Sequence, residues 1–354
     1  MEDQMSNIVQ LHGRMALDSR GFPTVEAECI LEDGSRGVAL VPSGASTGEA
    51  EALELRDGGN DWAGKGVDQA IGHLRGEICE LLSGQDARDQ EGIDRRLCEA
   101  DGTENKARLG ANAILAASMA VCRAAASSCQ LPLYRYIGGP ASVRLPIPLL
   151  NVVNGGAHAD NSVDVQEFML APTGFQDFTS ALRAGVEVYH ILKKRLKGAG
   201  LVTAVGDEGG FAPDFDSDVQ VLEELSAAIH EAGYTVGHDG QFTFALDVAA
   251  SELYENGSYS MGASGESLTS SRMVDHWVQL AEKFPFTSIE DGLDEEDWSG
   301  WSQLTQALPQ IRMVGDDLFA TDPKRIQRGI TEGAGSALLV KLNQIGRSEE
   351  HTSE

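Results

Sequence analysis

Four apolar runs between residues 242 and 341 end in acids and then in a lysine: F-A-L-D (244–247), T-S-I-E-D (287–291), M-V-G-D-D (313–317) and L-L-V-K (338–341). Each run is short and apolar enough to be a strand buried on both faces. Each is separated from the next by a segment with helical apolar spacing, which is the pattern of parallel β/α units. Parallel strands finish at one end of a sheet, so Asp247, Glu290 and Asp316 are expected to arrive together at such an end, with Lys341 beside them. Three neighbouring carboxylates repel unless a hard divalent cation lies among them, and an all-oxygen donor set favours magnesium over zinc or copper. A lysine next to that charge is a candidate proton-abstracting base.

Composition bounds the rest. A chain of 354 residues exceeds one typical single-core domain, so a barrel with an appended domain is the expected organisation. Acidic residues number 55 against 27 basic ones, a formal net charge of -28, which argues against nucleic acid and anionic membrane surfaces as main partners. The five cysteines, Cys29, Cys79, Cys98, Cys122 and Cys129, are odd in number and lack C-x-x-C spacing, as in a reduced, cytoplasmic protein. No run of 18 apolar residues, the length that would suggest a membrane span, appears, and the start M-E-D-Q-M lacks the basic and apolar regions of a signal peptide.

Upstream, residues 8–41 alternate as a β-meander, with V-E-A-E-C-I-L leading into an E-D-G turn at 32–34. The small-residue stretch P-S-G-A-S-T-G (42–48) suits a mobile lid, and Ser43 offers both a hydroxyl and a carbonyl to a metal. Apolar spacing predicts an amphipathic helix over 67–82 and a buried, alanine-rich helix over 107–127. Breakers in P-L-Y-R-Y-I-G-G-P (132–140) mark the expected domain boundary. Beyond it come a strand, a Gly-rich loop holding His158, a second strand beginning at Gln166 and Glu167, and a helix over 178–196. The G-D-E-G-G-F-A-P stretch (206–213) then lets backbone and ligand approach closely around Asp207 and Glu208.

In their order and intervals, S-G-A-S-T-G, L-G-A-N-A-I-L-A-A-S, N-G-G-A-H-A-D-N, V-Q-E-F-M, G-D-E-G-G-F-A-P, S-I-E-D-G-L, G-D-D-L and K-L-N-Q-I-G resemble the enolase family from about Ile8 to Gly346. Phe22, where that family usually has Asn, and Ser299 are small departures away from the chemistry. The resemblance implies an α/β fold in which a smaller α+β domain (1–135) precedes an enolase-type (β/α)8 barrel (143–346) whose second strand runs antiparallel to the others.

By resemblance, Asp247, Glu290 and Asp316 match the ligands of a first magnesium ion and Ser43 the residue reaching a second. Lys341 matches the base that takes the proton from the carbon next to the carboxylate of 2-phosphoglycerate. Glu208, aided by Glu167, matches the acid that helps hydroxide leave, and Gln166 and His158 line the substrate site. The reaction implied is the magnesium-dependent, reversible dehydration of 2-phosphoglycerate to phosphoenolpyruvate, in glycolysis and gluconeogenesis. It requires these residue types, because so weak a carbon acid ionises only when its carboxylate is neutralised, and a leaving hydroxide needs a proton donor. A cytoplasmic homodimer is implied as well, with a secondary cell-surface or secreted location left open.

After Gly346 the family pattern continues with a further helix, a strand bearing S-H-R-S and a second active-site lysine. In their place stands R-S-E-E-H-T-S-E (347–354), which resembles the translation of a sequencing adapter. The expectation is therefore a barrel that lacks its last strand and helices, a non-native tail at 347–354, and little or no activity. Two alternatives are another acid-sugar dehydratase of the superfamily and a non-catalytic binding protein on the same scaffold. The enolase-like loops weigh against the first, and the intact acids and lysine against the second.

Overall fold

Alternation along the first forty residues produces the first sheet. The computed structural model of the protein describes residues 6–44, 50–156, 161–206, 209–262 and 265–346. The chain divides into two units, one formed by residues 1–143 with 320–323 and 340–354, the other by 144–319 with 324–339.

In the first unit, β1 (Ile8–Leu17), β2 (Pro23–Leu31) and β3 (Arg36–Leu40) form an antiparallel meander. Val25, Ala27, Cys29 and Leu31 of β2 are buried while Glu26 and Glu28 between them are not, as a half-buried strand requires. The buried face lies against helix Ala111–Ser128, whose alanines permit close approach. Gly37 of β3 is needed there, since a Cβ on it would come within 2.2 Å of both the Ala120 carbonyl and the Ala124 amide. This helix begins at Ala111, four residues later than the apolar pattern suggests. Lys106 and Gly110 have positive φ (58° and 94°), so the residues between them form a turn first. The expected helix over 67–82 forms as Asp68–His73 and Cys79–Leu82, joined by a π-turn over Leu74–Ile78 that keeps both Leu74 and Ile78 fully buried. The returning segment adds helix Leu342–Ile345, with the Ala52 amide donating to the Gln344 carbonyl at 2.7 Å and Thr321 Oγ1 to Gln344 Oε1 at 2.8 Å.

In the second unit the strands are, in chain order, β4 (Leu150–Asn154), β5 (Glu167–Ala171), β6 (Thr243–Asp247), β7 (Tyr254–Glu255), β8 (Ser258–Met261), β9 (Glu266–Leu268), β10 (Phe286–Glu290), β11 (Arg312–Gly315) and β12 (Ala337–Leu338). Six of them form one sheet in the order β12-β11-β10-β6-β5-β4. The pairings of β6, β10, β11 and β12 are parallel, and β5 runs antiparallel to both its neighbours, so the second strand of this unit is the reversed one. Helices Phe178–Gly198, Asp218–Glu231, Ser270–Lys283 and Trp298–Ala307 lie between strands in the chain. Each starts on a side chain that caps it: Asp177, Ser217, Thr269 and Asp297. Phe168, Phe244, Phe286, Trp277 and Trp301 fill one continuous core. β7, β8 and β9 make a small separate sheet, turned at Asn256–Gly257, where both residues have positive φ.

Candidate functional site

Parallel pairing places the acids. Asp247 ends β6, Glu290 ends β10, and the two stand opposite each other in the ladder. Glu167 opens the reversed strand β5 and stands opposite Asp247 on its other side. Asp316 follows the last residue of β11. Main-chain bonds continue past the strand ends and hold this edge together: Val248 N–H donates to the Glu290 carbonyl, Ala250 N–H to Asp291 and Asp291 N–H to Val314, each at 3.0 Å. Glu290 and Asp316 are both buried, and Gln166, just before β5, is buried too, its carbonyl accepting the Gly155 amide at 3.0 Å.

Asp291 gives this edge its local order. Its backbone is left-handed (φ 40°), which breaks β10 and turns the side chain toward the next loop. There its carboxyl accepts the amides of Asp316 at 3.1 Å and Asp317 at 2.8 Å. Trp277, fully buried, secures the following residue by donating Nε1–H to the Gly292 carbonyl at 2.8 Å. Complete burial, and then the charges of Asp317, Asp247 and Asp316, hold the Asp291 carboxyl well above the usual carboxylate range.

Ligand oxygens of Asp291, Asp316 and Asp317 all lie within 4.8 Å of one another, so this cluster could hold a metal ion. The donors are all oxygen, and the mutual repulsion that raises Asp291 is what a hard cation relieves, so the residues fit magnesium. Asp291 serves at the same time as acceptor for two amides, those of Asp316 and Asp317. Asp291 and Asp317 stand out in the sequence as the second acids of E-D and D-D, but nothing in that spacing reveals that one of them brackets the other's backbone.

Ser43 and Lys341 belong to the first unit. Ser43 Oγ donates to Glu54 at 3.1 Å and accepts from Arg56 at 3.3 Å, while its carbonyl accepts from Arg20 at 3.0 Å. Both groups that sequence reasoning offers to a metal are thus engaged by neighbouring side chains. Lys341 follows β12 by three residues; its side chain is exposed and its amide donates to Thr321 Oγ1 at 3.0 Å. His158 and Glu208 lie outside the described residues, as does the tail 347–354.

Residues 8–137 match the family described as "Enolase, N-terminal domain", and residues 142–353 the one described as "Enolase, C-terminal TIM barrel domain". Among the described residues, no helix is long and apolar enough to cross a membrane.

Proposed function

The chain belongs to the enolase family, and on that premise we propose that its acidic strand ends serve the dehydration of 2-phosphoglycerate to phosphoenolpyruvate. The observation that carries the reading is the register that sets Glu290 and Glu167 on either side of Asp247 at one sheet edge, with Asp316 following the next strand. A proton-abstracting site built from so many carboxylates has a reason to exist only if a cation offsets them.

Asp247, Glu290 and Asp316 are the proposed ligands of one magnesium ion, and Ser43 reaches a second once it leaves Glu54 and Arg20. A magnesium ion held by these carboxylates would supply the positive charge that offsets the substrate carboxylate as the adjacent carbon loses its proton. Lys341 takes the proton from that carbon. Glu208, aided by Glu167, protonates the departing hydroxyl, and Gln166 and His158 orient the substrate. The protein is proposed to work in glycolysis as a cytoplasmic homodimer.

The test follows proton exchange at the substrate carbon and enolpyruvate formation with magnesium, in the 354-residue chain and in the same chain extended by the family's C-terminal segment. In the extended protein, Lys341→Ala should abolish exchange. Glu208→Gln should spare exchange and block loss of hydroxide. Equal loss of exchange in both variants, or no product from the unsubstituted extended protein, would overturn the assignment.

A further inference from the structure

Two buried carboxylates lie outside the metal edge but directly upstream of β5. Asp164 and Asp218 are 7% and 6% exposed. Asp218 is the first residue of helix Asp218–Glu231, and its carboxyl accepts the amide of Val165 at 3.3 Å and is also hydrogen-bonded by the amide of Asp164. Asp164 in turn accepts the amide of Gly262, just after β8, at 2.7 Å. A relay therefore runs from the helix through residues 164 and 165 to the small β7–β9 sheet. Two residues further on stand Gln166 and Glu167. The neck of the same loop is closed by Gly155 N–H to Gln166 O at 3.0 Å and Gly156 N–H to Val163 O at 2.8 Å.

We propose that Asp164 and Asp218 are a pair of positioning residues that clamp the approach to β5, so that the amide bonds they accept fix where Gln166 and Glu167 stand. The proposal rests on the enolase reading only in naming Gln166 and Glu167 as site residues. Burial first, and the Asp164 charge second, push the Asp218 carboxyl up to about 6, against the lowering effect of the two amides. His276 faces Asp164 from helix Ser270–Lys283, and its Nε2 is buried without a hydrogen-bond partner. Burial holds His276 below its ordinary value, with Lys283 adding to that and Asp164 and Glu266 opposing it. From the segment before helix Asp218–Glu231, Asp214 accepts the amide of Ser162 on the loop at 3.2 Å. With the proton in place the pair carries one charge and the clamp is tight. Once the proton is lost, two like charges meet in a buried site and the clamp loosens.

The experiment is amide hydrogen exchange on the full chain at pH 5 and pH 7.5, corrected for intrinsic rates, with no substrate present. For a carboxyl moving from its ordinary 3.8 to about 6 on folding, opening that exposes Asp218 becomes about tenfold more favourable between those pH values. Protection across residues 150–170 should fall by about that factor in the unsubstituted chain, while peptides from β1 to β3 stay level. Asp218→Asn should remove the pH dependence. Asp164→Asn should lessen it, since burial of Asp218 remains, while keeping an acceptor for Gly262. A fall that persists unchanged in Asp218→Asn, or no fall in the unsubstituted chain, would overturn the proposal; the latter arm holds even if a variant fails to fold. Because no turnover is read, failure here is separate from failure of the enolase reading.

Discussion

The carboxyl of Asp291 accepts the amide of Asp317 at 2.8 Å, tying the residue after β10 to the loop after β11. The same carboxyl accepts the Asp316 amide at 3.1 Å, so one side chain aligns the backbone of a whole acidic edge. Removing it, as in Asp291→Ala, leaves two amides without their acceptor. Each such loss costs about 1–3 kcal/mol, and the urea midpoint at pH 7 should fall accordingly, less the relief of one repelling neighbour. An unchanged midpoint would show that the amides find other partners.

Trp277 acts on the same edge from below. It is fully buried and donates to the Gly292 carbonyl at 2.8 Å. Trp277→Phe should cost about 1–3 kcal/mol by orphaning that carbonyl, and because Gly292 directly follows Asp291, magnesium affinity should drop with it. Trp277→Ala should cost more, about 3–5 kcal/mol, through the cavity it leaves. Thermal unfolding with and without magnesium separates the two effects.

In the first unit the sensitive position is Gly37. A methyl group there meets backbone on the facing helix at 2.2 Å, from the Ala120 carbonyl and the Ala124 amide, and neither can rotate away. Gly37→Ala should lower stability by at least the roughly 1–3 kcal/mol typical of overpacking. Differential scanning calorimetry would read this as a lower melting temperature, whereas an unchanged melt would mean that β3 can slide off the helix freely.

Stability should also depend on pH through Asp218. Its folded-state pKa is raised from 3.8 to about 6, so the folded chain binds more protons than the unfolded one between those values. That contribution is complete below about pH 4 and is lost as pH rises through about 6, for a total of about 3 kcal/mol. Asp218→Asn should therefore flatten the profile between pH 4 and 7. A slope equal to that of the unsubstituted chain would contradict this.

Much of this architecture is legible in local pattern. V-E-A-E-C-I-L alternates and becomes β2 with alternating burial. F-A-L-D, T-S-I-E and M-V-G become the ends or bodies of β6, β10 and β11, as short apolar runs set between helical segments suit strands buried on both faces. Of the L-L-V-K run only Leu338 is strand, as the end of β12, before the chain passes into the first unit. What pattern could not disclose depends on contacts across long separations. The Asp164–Asp218 relay joins residues 54 positions apart, as 218 minus 164 shows. The Asp291 bracket needs a positive φ at a non-glycine residue, which no spacing rule predicts. The small sheet β7–β9 does carry a local signal, the N-G turn at Asn256 and Gly257, which the apolar periodicity around it overshadows.

The acidic edge formed by Asp247, Glu290 and Asp316 is proposed to hold a divalent cation. Calorimetric titration of magnesium into the full chain tests it most directly, because it requires neither substrate nor turnover. The account predicts saturable binding, weakened at least about tenfold, or about 1.4 kcal/mol, in each of Asp247→Asn, Glu290→Gln and Asp316→Asn. Absence of saturable binding in the unsubstituted chain, or variants that all keep the unsubstituted chain's affinity, would contradict it.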